Sequence, residues 1–209
     1  MNRKIIFQFT HDSIFIGEDG STHQPIEQIA SMRAMPNLQV IRPADSNEVK
    51  MSWLAALEYN GPTALILSRQ KLPLLEETDA PFKEGVARGA YIVRKEKKSA
   101  DFTIFATGSE LSLALDVAKK LEVVEKDVSV ISVPCFELFD MQDEKYRNSI
   151  LKNSGKKISI EAGTSMGWHK YIGSDGVAIS VNEFGISAPE KDVKKRFGFT
   201  VDKIIKKNV

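Results

Sequence analysis

The order of apolar and polar positions divides the chain into short strand-like and helix-like stretches. From Lys4 to Thr10, Ile5, Phe7 and Phe9 alternate with residues of mixed polarity, the period-2 pattern of a strand. A polar loop follows, in which Gly17 and Asp19-Gly20 carry turn chemistry, because glycine accepts positive φ and aspartate bonds its own backbone. Pro25 suits the first turn of a helix, with Ile26, Ile29, Ala30 and Arg33 at helical spacing. Leu38 to Ile41 is a short apolar run ended by Arg42-Pro43, where the residue before proline is pushed towards extended geometry. Asp45 followed by Glu48 forms a capping box, and Val49, Trp53, Ala56 and Leu57 recur on one helical face before Asn60-Gly61-Pro62 stops it. Thr63 to Leu67 is a compact run of strand length.

Between Lys71 and Gly89 the periodicity fades among Pro73, Glu76-Glu77, Pro81 and Gly85. Beyond it, strands are expected at Tyr91–Arg94, Phe102–Ala106, Val128–Val133, Lys157–Ile160 and Val177–Val181. Helical patterns lie between and after them: a strongly apolar one from Leu111 to Leu121, then Met141–Leu151 and Pro189–Phe197. This alternation predicts an α/β fold with a second, parallel α/β domain. The expected division is residues 1–75, a linker at 76–89, and a domain at 90–209.

A composition of 42% apolar and 27% charged residues is that of a soluble globular chain. Twenty-nine basic against 28 acidic residues leave a net charge of +1, which gives no electrostatic case for nucleic acid or an anionic membrane. The single Cys135 cannot form an internal disulfide and fits a reducing compartment. No apolar run approaches membrane-spanning length and no signal-peptide pattern follows Met1, so a cytoplasmic location is expected.

Candidate chemistry gathers at strand ends, where ligands sit in open α/β sheets. His11 leaves the end of the first strand, and His23 shares its loop with Asp19. Two imidazoles and an acceptor carboxylate suit proton movement or a hydroxylated ligand, and equally a solvated polar turn. Arg69, at the end of Thr63–Leu67, is either a clamp for phosphate or carboxylate or an ion pair capping the next element. Thr107-Gly108-Ser109-Glu110 is an ordinary tight connection before a helix rather than an anion site. His169 fits packing or surface better than a ligand role.

Several motifs carry a resemblance to a known family. They are His11-Asp12-Ser13-Ile14, Gly17-Glu18-Asp19-Gly20, Thr22-His23-Gln24-Pro25, Arg42-Pro43-Ala44-Asp45 and Ala64-Leu65-Ile66-Leu67-Ser68-Arg69-Gln70. Further on come Gly108-Ser109-Glu110, Glu137-Leu138-Phe139-Asp140, Glu161-Ala162-Gly163, Gly167-Trp168 and Phe184-Gly185-Ile186-Ser187-Ala188-Pro189. The chain resembles the C-terminal part of transketolases over nearly its whole length. The resemblance implies the later part of a thiamine-diphosphate pyrimidine-binding domain followed by a Rossmann-like transketolase C-terminal domain. It implies transfer of a two-carbon ketol unit from a ketose phosphate to an aldose phosphate in the pentose phosphate pathway. His11 and His23 match family histidines that contact the substrate near its reacting end. Asp19 matches an aspartate that binds a sugar hydroxyl, and Arg69 an arginine that holds the sugar phosphate.

Phe15 and Ser21 stand where the family motif commonly has glycine and proline. The family's diphosphate and metal motif and its catalytic glutamate find no match here, and belong upstream of Met1. The expectation is therefore a transketolase portion, inactive alone, with thiamine diphosphate and Mg2+ or Ca2+ bound by the complete enzyme. Its expected partners are sugar phosphates and either a second copy or a complementing N-terminal portion. A related thiamine enzyme subunit and a non-catalytic interaction module are the alternatives; Thr22-His23-Gln24-Pro25 and Ser68-Arg69-Gln70 favour transketolase over the former.

Overall fold

The computed structural model describes residues 3–78, 82–152 and 155–208. Strand β1 (Ile6–Phe9) leads through the polar loop to helix α1 (Gln28–Arg33), then β2 (Gln39–Ile41), α2 (Ser46–Glu58) and β3 (Thr63–Ile66). The three strands form a parallel sheet in the order β1-β3-β2, with Phe7 and Val40 on either side of Ala64. β3 is central and buried throughout, whereas β1 is an edge. Its apolar face looks outward: Ile5, Phe7 and Phe9 are all exposed, and the two phenylalanine rings stack with centroids 6.3 Å apart.

Helix α2 starts at the expected cap, with the return bond made one residue earlier than in a strict capping box. Asp45 Oδ1 accepts from the Glu48 amide at 3.0 Å, and Glu48 reaches back to the Ala44 amide at 2.7 Å. Helix α1 starts at Gln28 rather than at Pro25. The Ile26 carbonyl is taken by the Thr164 amide at 2.9 Å and the Ile26 amide by Gln28 Oε1 at 2.8 Å, so this backbone is not free to wind.

The stretch read as a linker holds a 3-10 turn at Glu76–Thr78 and helix α3 (Phe82–Ala87), which packs on α2; residues 79–81 lie outside the described residues. There follow β4 (Tyr91–Arg94), β5 (Phe102–Ala106), α4 (Glu110–Glu122), β6 (Val128–Ser132), α5 (Phe136–Asp140), α6 (Glu144–Leu151) and β7 (Lys156–Ile160). The chain closes with α7 (His169–Ile172), β8 (Val177–Ile179), α8 (Glu190–Phe197) and α9 (Val201–Asn208). The second sheet has the order β4-β6-β5-β7-β8. All its pairings are parallel except β4 with β6, which corrects the expectation of a wholly parallel domain. The connection from β4 to β5 is too short for the crossover that a parallel neighbour needs, so β4 comes in reversed.

The helix expected over Met141–Leu151 is α6, which starts at Glu144, and a separate helix, α5, precedes it over Phe136–Asp140. Asp143 caps α6 by accepting from the Tyr146 amide at 2.7 Å, which ends α5 before it. Helix α4 buries Leu111, Ala114, Leu115, Val117, Ala118 and Leu121 against the second sheet and α9. Each such larger side chain contributes about 1.5–3 kcal/mol of transfer free energy. Ile14 and Phe15 from the first loop enter this same core, and the Phe15 ring meets Phe199 edge-on at 5.4 Å. The bulky residue at position 15 thus anchors the loop in the second half.

Candidate active site

The loop between β1 and α1 is held at both ends by the segment before α8. Gln24 Nε2 donates to the carbonyls of Ile14 and Ile186, each at 3.0 Å, and Ser187 Oγ donates to the Glu18 carbonyl at 2.8 Å. A Cβ at Gly185 would lie 1.7 Å from Gln24 Oε1, so only glycine lets this segment approach so closely.

Against that loop the structure brings three of the four expected residues together, His11 and Asp19 from the loop and Arg69 from the end of β3. Asp19 Oδ2 lies 3.7 Å from His11 Nε2 and 3.3 Å from Arg69 Nε. The three side chains are 36%, 39% and 51% exposed in the order His11, Asp19, Arg69, so their pairing contributes little stability, about 1 kcal/mol at most. Arg69 turns its Nε to Asp19, and its two terminal nitrogens have no partner among the described residues. That leaves the guanidinium fork open to an oxyanion. Thr10 Oγ1 lies 2.8 Å from His11 Nδ1 and orients the ring. His23 closes a 3-10 turn at Ser21–His23 with its Nδ1 3.0 Å from Thr22 Oγ1; among the described residues no contact joins it to the other three. His169 is exposed at the start of α7, as its sequence context suggested.

Directly behind this group lies a buried ion cluster that the sequence reading did not assign. Arg42 leaves the end of β2 with no exposure. Its Nε and one terminal nitrogen donate to Asp12 Oδ2 at 3.0 and 2.6 Å, and its terminal nitrogens also reach both Glu110 oxygens and the Thr107 carbonyl. Glu110 accepts as well from the Ala162 amide at 3.0 Å and from Ser109 Oγ at 2.6 Å. Glu161, 3.8 Å from Arg42, takes a two-bond clasp from Arg33 at 2.8 and 3.0 Å and the Trp168 indole N–H at 2.6 Å. Burial opposes the Arg42 charge, but Glu110 and Asp12 override it and hold the guanidinium protonated. Burial pushes the Glu110 carboxyl above its ordinary value against the pull of Arg42. It would do the same at Glu161, but Arg33 and Arg42 bring that carboxyl below its ordinary value.

The cluster joins the carboxyl ends of strands in both sheets, since Asp12 follows β1, Arg42 β2, Thr107–Glu110 β5, and Glu161 β7. The available signal was a set of charged residues each standing just after a strand.

Loosely arranged hydroxyl acceptors and an open guanidinium suit a polyhydroxylated phosphate. They do not suit a divalent cation of the Mg2+ or Ca2+ type, which takes six or more oxygen ligands; among the described residues no three His, Cys, Asp or Glu side chains come together to hold one. A cavity of about 640 Å3 lies elsewhere, between β8 and helices α8 and α9, and none of its lining residues belongs to this group.

Comparison with known proteins agrees along the whole chain. Residues 1–74 match the transketolase pyrimidine-binding domain, and residues 89–200 the transketolase-like C-terminal domain. The transketolase of Staphylococcus aureus (strain MW2) is 46% identical over 207 residues, covering 98% of this chain and 31% of the relative. A Pichia stipitis transketolase in complex with sedoheptulose 7-phosphate superposes with a TM-score of 0.87 at 41% identity, covering 95% of this chain and 28% of that one. A split-gene transketolase, described as an inactive β4 tetramer, shares the fold with a TM-score of 0.76 at 21% identity, covering 96% of this chain and 64% of that one. The chain thus spans about a third of the length of its curated relative. With family matches over both halves and relatives of this identity, the chain belongs to the transketolase family.

Proposed function

We propose that this chain is the sugar-phosphate-gripping portion of a transketolase, working in the transfer of a two-carbon ketol unit from a ketose phosphate to an aldose phosphate. The observation that carries the reading is the open guanidinium of Arg69 beside Asp19 and His11 on a loop fixed by both halves. In this reading Arg69 holds the phosphate through its free terminal nitrogens. Asp19 accepts a sugar hydroxyl, and so penalises sugars that invert or lack it. His11 and His23 stand nearer the reacting carbons and hold or move protons there.

Thiamine diphosphate, with Mg2+ or Ca2+, supplies the carbanion chemistry in transketolases. Its diphosphate and metal are held in this proposal by a complementing portion and not by this chain. The exposed edge strand β1, with Ile5, Phe7 and Phe9, is the surface offered to that portion, because an unpaired strand edge with an apolar face is a template for pairing. One structural neighbour is described as a split-gene transketolase in an inactive β4 tetramer. A cytoplasmic setting fits the buried free thiol of Cys135. Among the described residues no helix is long and apolar enough to cross a membrane.

The test is to mix the chain with the N-terminal portion of a homologous transketolase and follow turnover of xylulose 5-phosphate with ribose 5-phosphate. Turnover that requires both portions and thiamine diphosphate is expected. Arg69→Ala then raises KM for the phosphorylated donor about 30-fold or more, the worth of a charge-assisted phosphate contact of about 2–3 kcal/mol. No turnover in the mixture, or a KM indifferent to Arg69, defeats the proposal.

A further inference from the structure

We infer that Arg42 and Asp12 are positioning residues for His11: the buried Arg42 fork, acting through the Asp12 carboxylate, sets where the His11 imidazole stands. The functional weight of this rests on the reading of His11 as a sugar contact; the geometry does not.

His11 has φ 63, in the left-handed region that a side chain with a Cβ enters at a cost of about 1–2 kcal/mol. Such a residue stays there only when its neighbours over-determine the backbone. On the upstream side the Phe9 carbonyl is tied to the Leu67 amide at 2.8 Å, the last rung of the β1–β3 ladder. On the downstream side the tie is Asp12. Its side chain is wholly buried, and Oδ2 alone receives two Arg42 donors, at 3.0 and 2.6 Å. The chain must turn sharply at His11 to leave a strand and deliver a carboxylate into that fork.

Arg42 is in turn fixed on every side. Its amide donates to the Pro134 carbonyl at 2.8 Å, and its carbonyl accepts from the Gly108 amide and Thr107 Oγ1, each at 3.2 Å. Its guanidinium is stacked so close to the Gly108 backbone that a Cβ there would come within 2.5 Å of Cζ. A rigid path therefore runs from the first turn of α4 through Glu110, Arg42 and Asp12 to the neighbouring His11, whose Nε2 then faces Asp19 at 3.7 Å. If the cluster served only to join the two halves, Arg42 with Glu110 and Glu161 would suffice, and Asp12 would be dispensable to the imidazole.

The experiment uses the full 209-residue chain with isotopically labelled histidine. Three ring resonances are expected, with that of His11 assigned from a His11→Gln spectrum. Two variants carry the test. Asp12→Asn keeps the shape and leaves Arg42 balanced by Glu110 and Glu161; its new amide nitrogen falls where Oδ1 has no partner among the described residues. Arg42→Lys keeps the charge but not the planar fork. Val193→Ala, on the buried face of α8, serves as a purely structural control.

Both variants are expected to shift or split the His11 ring resonance while those of His23 and His169 stay in place; the control lowers Tm without moving any of them. Titration with fructose 6-phosphate then separates the two ideas. Affinity about tenfold or more weaker in Asp12→Asn than in the unmodified chain supports the functional weight of the positioning. No binding by the unmodified chain overturns the sugar-contact reading and leaves the resonance test standing. An unmoved His11 resonance in folded Asp12→Asn and Arg42→Lys overturns the inference. If one variant does not fold, the other decides it. Loss of the fold in both also overturns it, because the role is then structural alone.

Discussion

Replacing Arg42 by Met removes the centre of the buried ion cluster, and the cost follows from what each carboxylate keeps. Glu161 retains both Arg33 bonds and the Trp168 N–H, and Glu110 retains the Ser109 hydroxyl and the Ala162 amide. Asp12 keeps nothing: both donors to Oδ2 come from Arg42, and Oδ1 has no partner among the described residues. Breaking a buried pair from one side costs about 3–5 kcal/mol, and a carboxylate stripped of every donor places Arg42→Met at the upper end, about 5 kcal/mol. With a urea m-value of about 2.5 kcal/mol per M, the midpoint falls by about 2 M. Fluorescence of Trp168, buried and bonded to Glu161, follows the transition. The pH dependence has a fixed sign. Burial already raises the Glu110 carboxyl, and without the pull of the cation it titrates further above its unfolded value of about 4.3. Stability is then fullest below that value and is lost as pH rises through the folded one, so the deficit is smaller at pH 4.5 than at pH 7.5. A midpoint within about 0.5 M of the unmodified chain at pH 7.5, or a deficit equal at both pH values, refutes this account.

Two further outcomes follow from the same coordinates. Burial raises the Glu48 carboxyl above its ordinary value although Ser132, Tyr91 and the Ala44 amide all donate to it, so its contribution to stability is full below about pH 4.5 and declines as pH rises through the raised folded value. Glu48→Gln, whose oxygen can face Ala44 while its amide donates to the two hydroxyls, is therefore expected to gain on the parent between pH 4.5 and 7 in urea melts; a parallel pH profile counts against it. Phe7→Lys on the exposed face of β1 is expected to lower self-association of the isolated chain in sedimentation velocity and to weaken capture of a complementing N-terminal portion; unchanged behaviour in both removes β1 as the pairing surface.

Much of the fold was legible because local signals and tertiary needs coincided. Tyr91–Arg94 and Phe102–Ala106 are strands at the expected residues, and the Asp45 cap starts α2 as its spacing demands. Where they diverged, the causes differed: a contact distant in sequence, Thr164 on the Ile26 carbonyl, delays α1, and the short connection that follows β4 reverses that strand. The site divides in the same way. His11 and Arg69 each stand just beyond a strand and so have a topological address, and the parallel β1–β3 pairing puts the two addresses side by side; the residues alone left a solvated turn or a capping ion pair open, and the roles expected of them and of Asp19 farther along the loop came from the family resemblance. The Arg42 cluster was not legible, because nothing local marks a charge as buried. Its partners lie 30 and 68 positions away: the first sheet brings Asp12 within reach, and only the packed halves bring Glu110.

The seam between the halves explains how residues outside the His11–Asp19–Arg69 group bear on its geometry. It is built by two close approaches where a Cβ would collide, Gly108 beneath the Arg42 guanidinium and Gly185 against Gln24, and by the edge-on packing of Phe15 against Phe199. All of these tie the loop carrying His11 and Asp19, or the Arg42 behind it, to the second half. The loop therefore has no independent conformation to offer a ligand. Its geometry belongs to both halves at once, so the second half, though it supplies none of the four expected sugar contacts, contributes by fixing the backbone from which they project. The opposite circumstance holds at β1, where an apolar face and a strand edge remain uncovered and nothing in this chain fixes what lies beyond. Among the described residues, then, one side of the loop is fixed by burial in the second half while the β1 edge stays open to pairing.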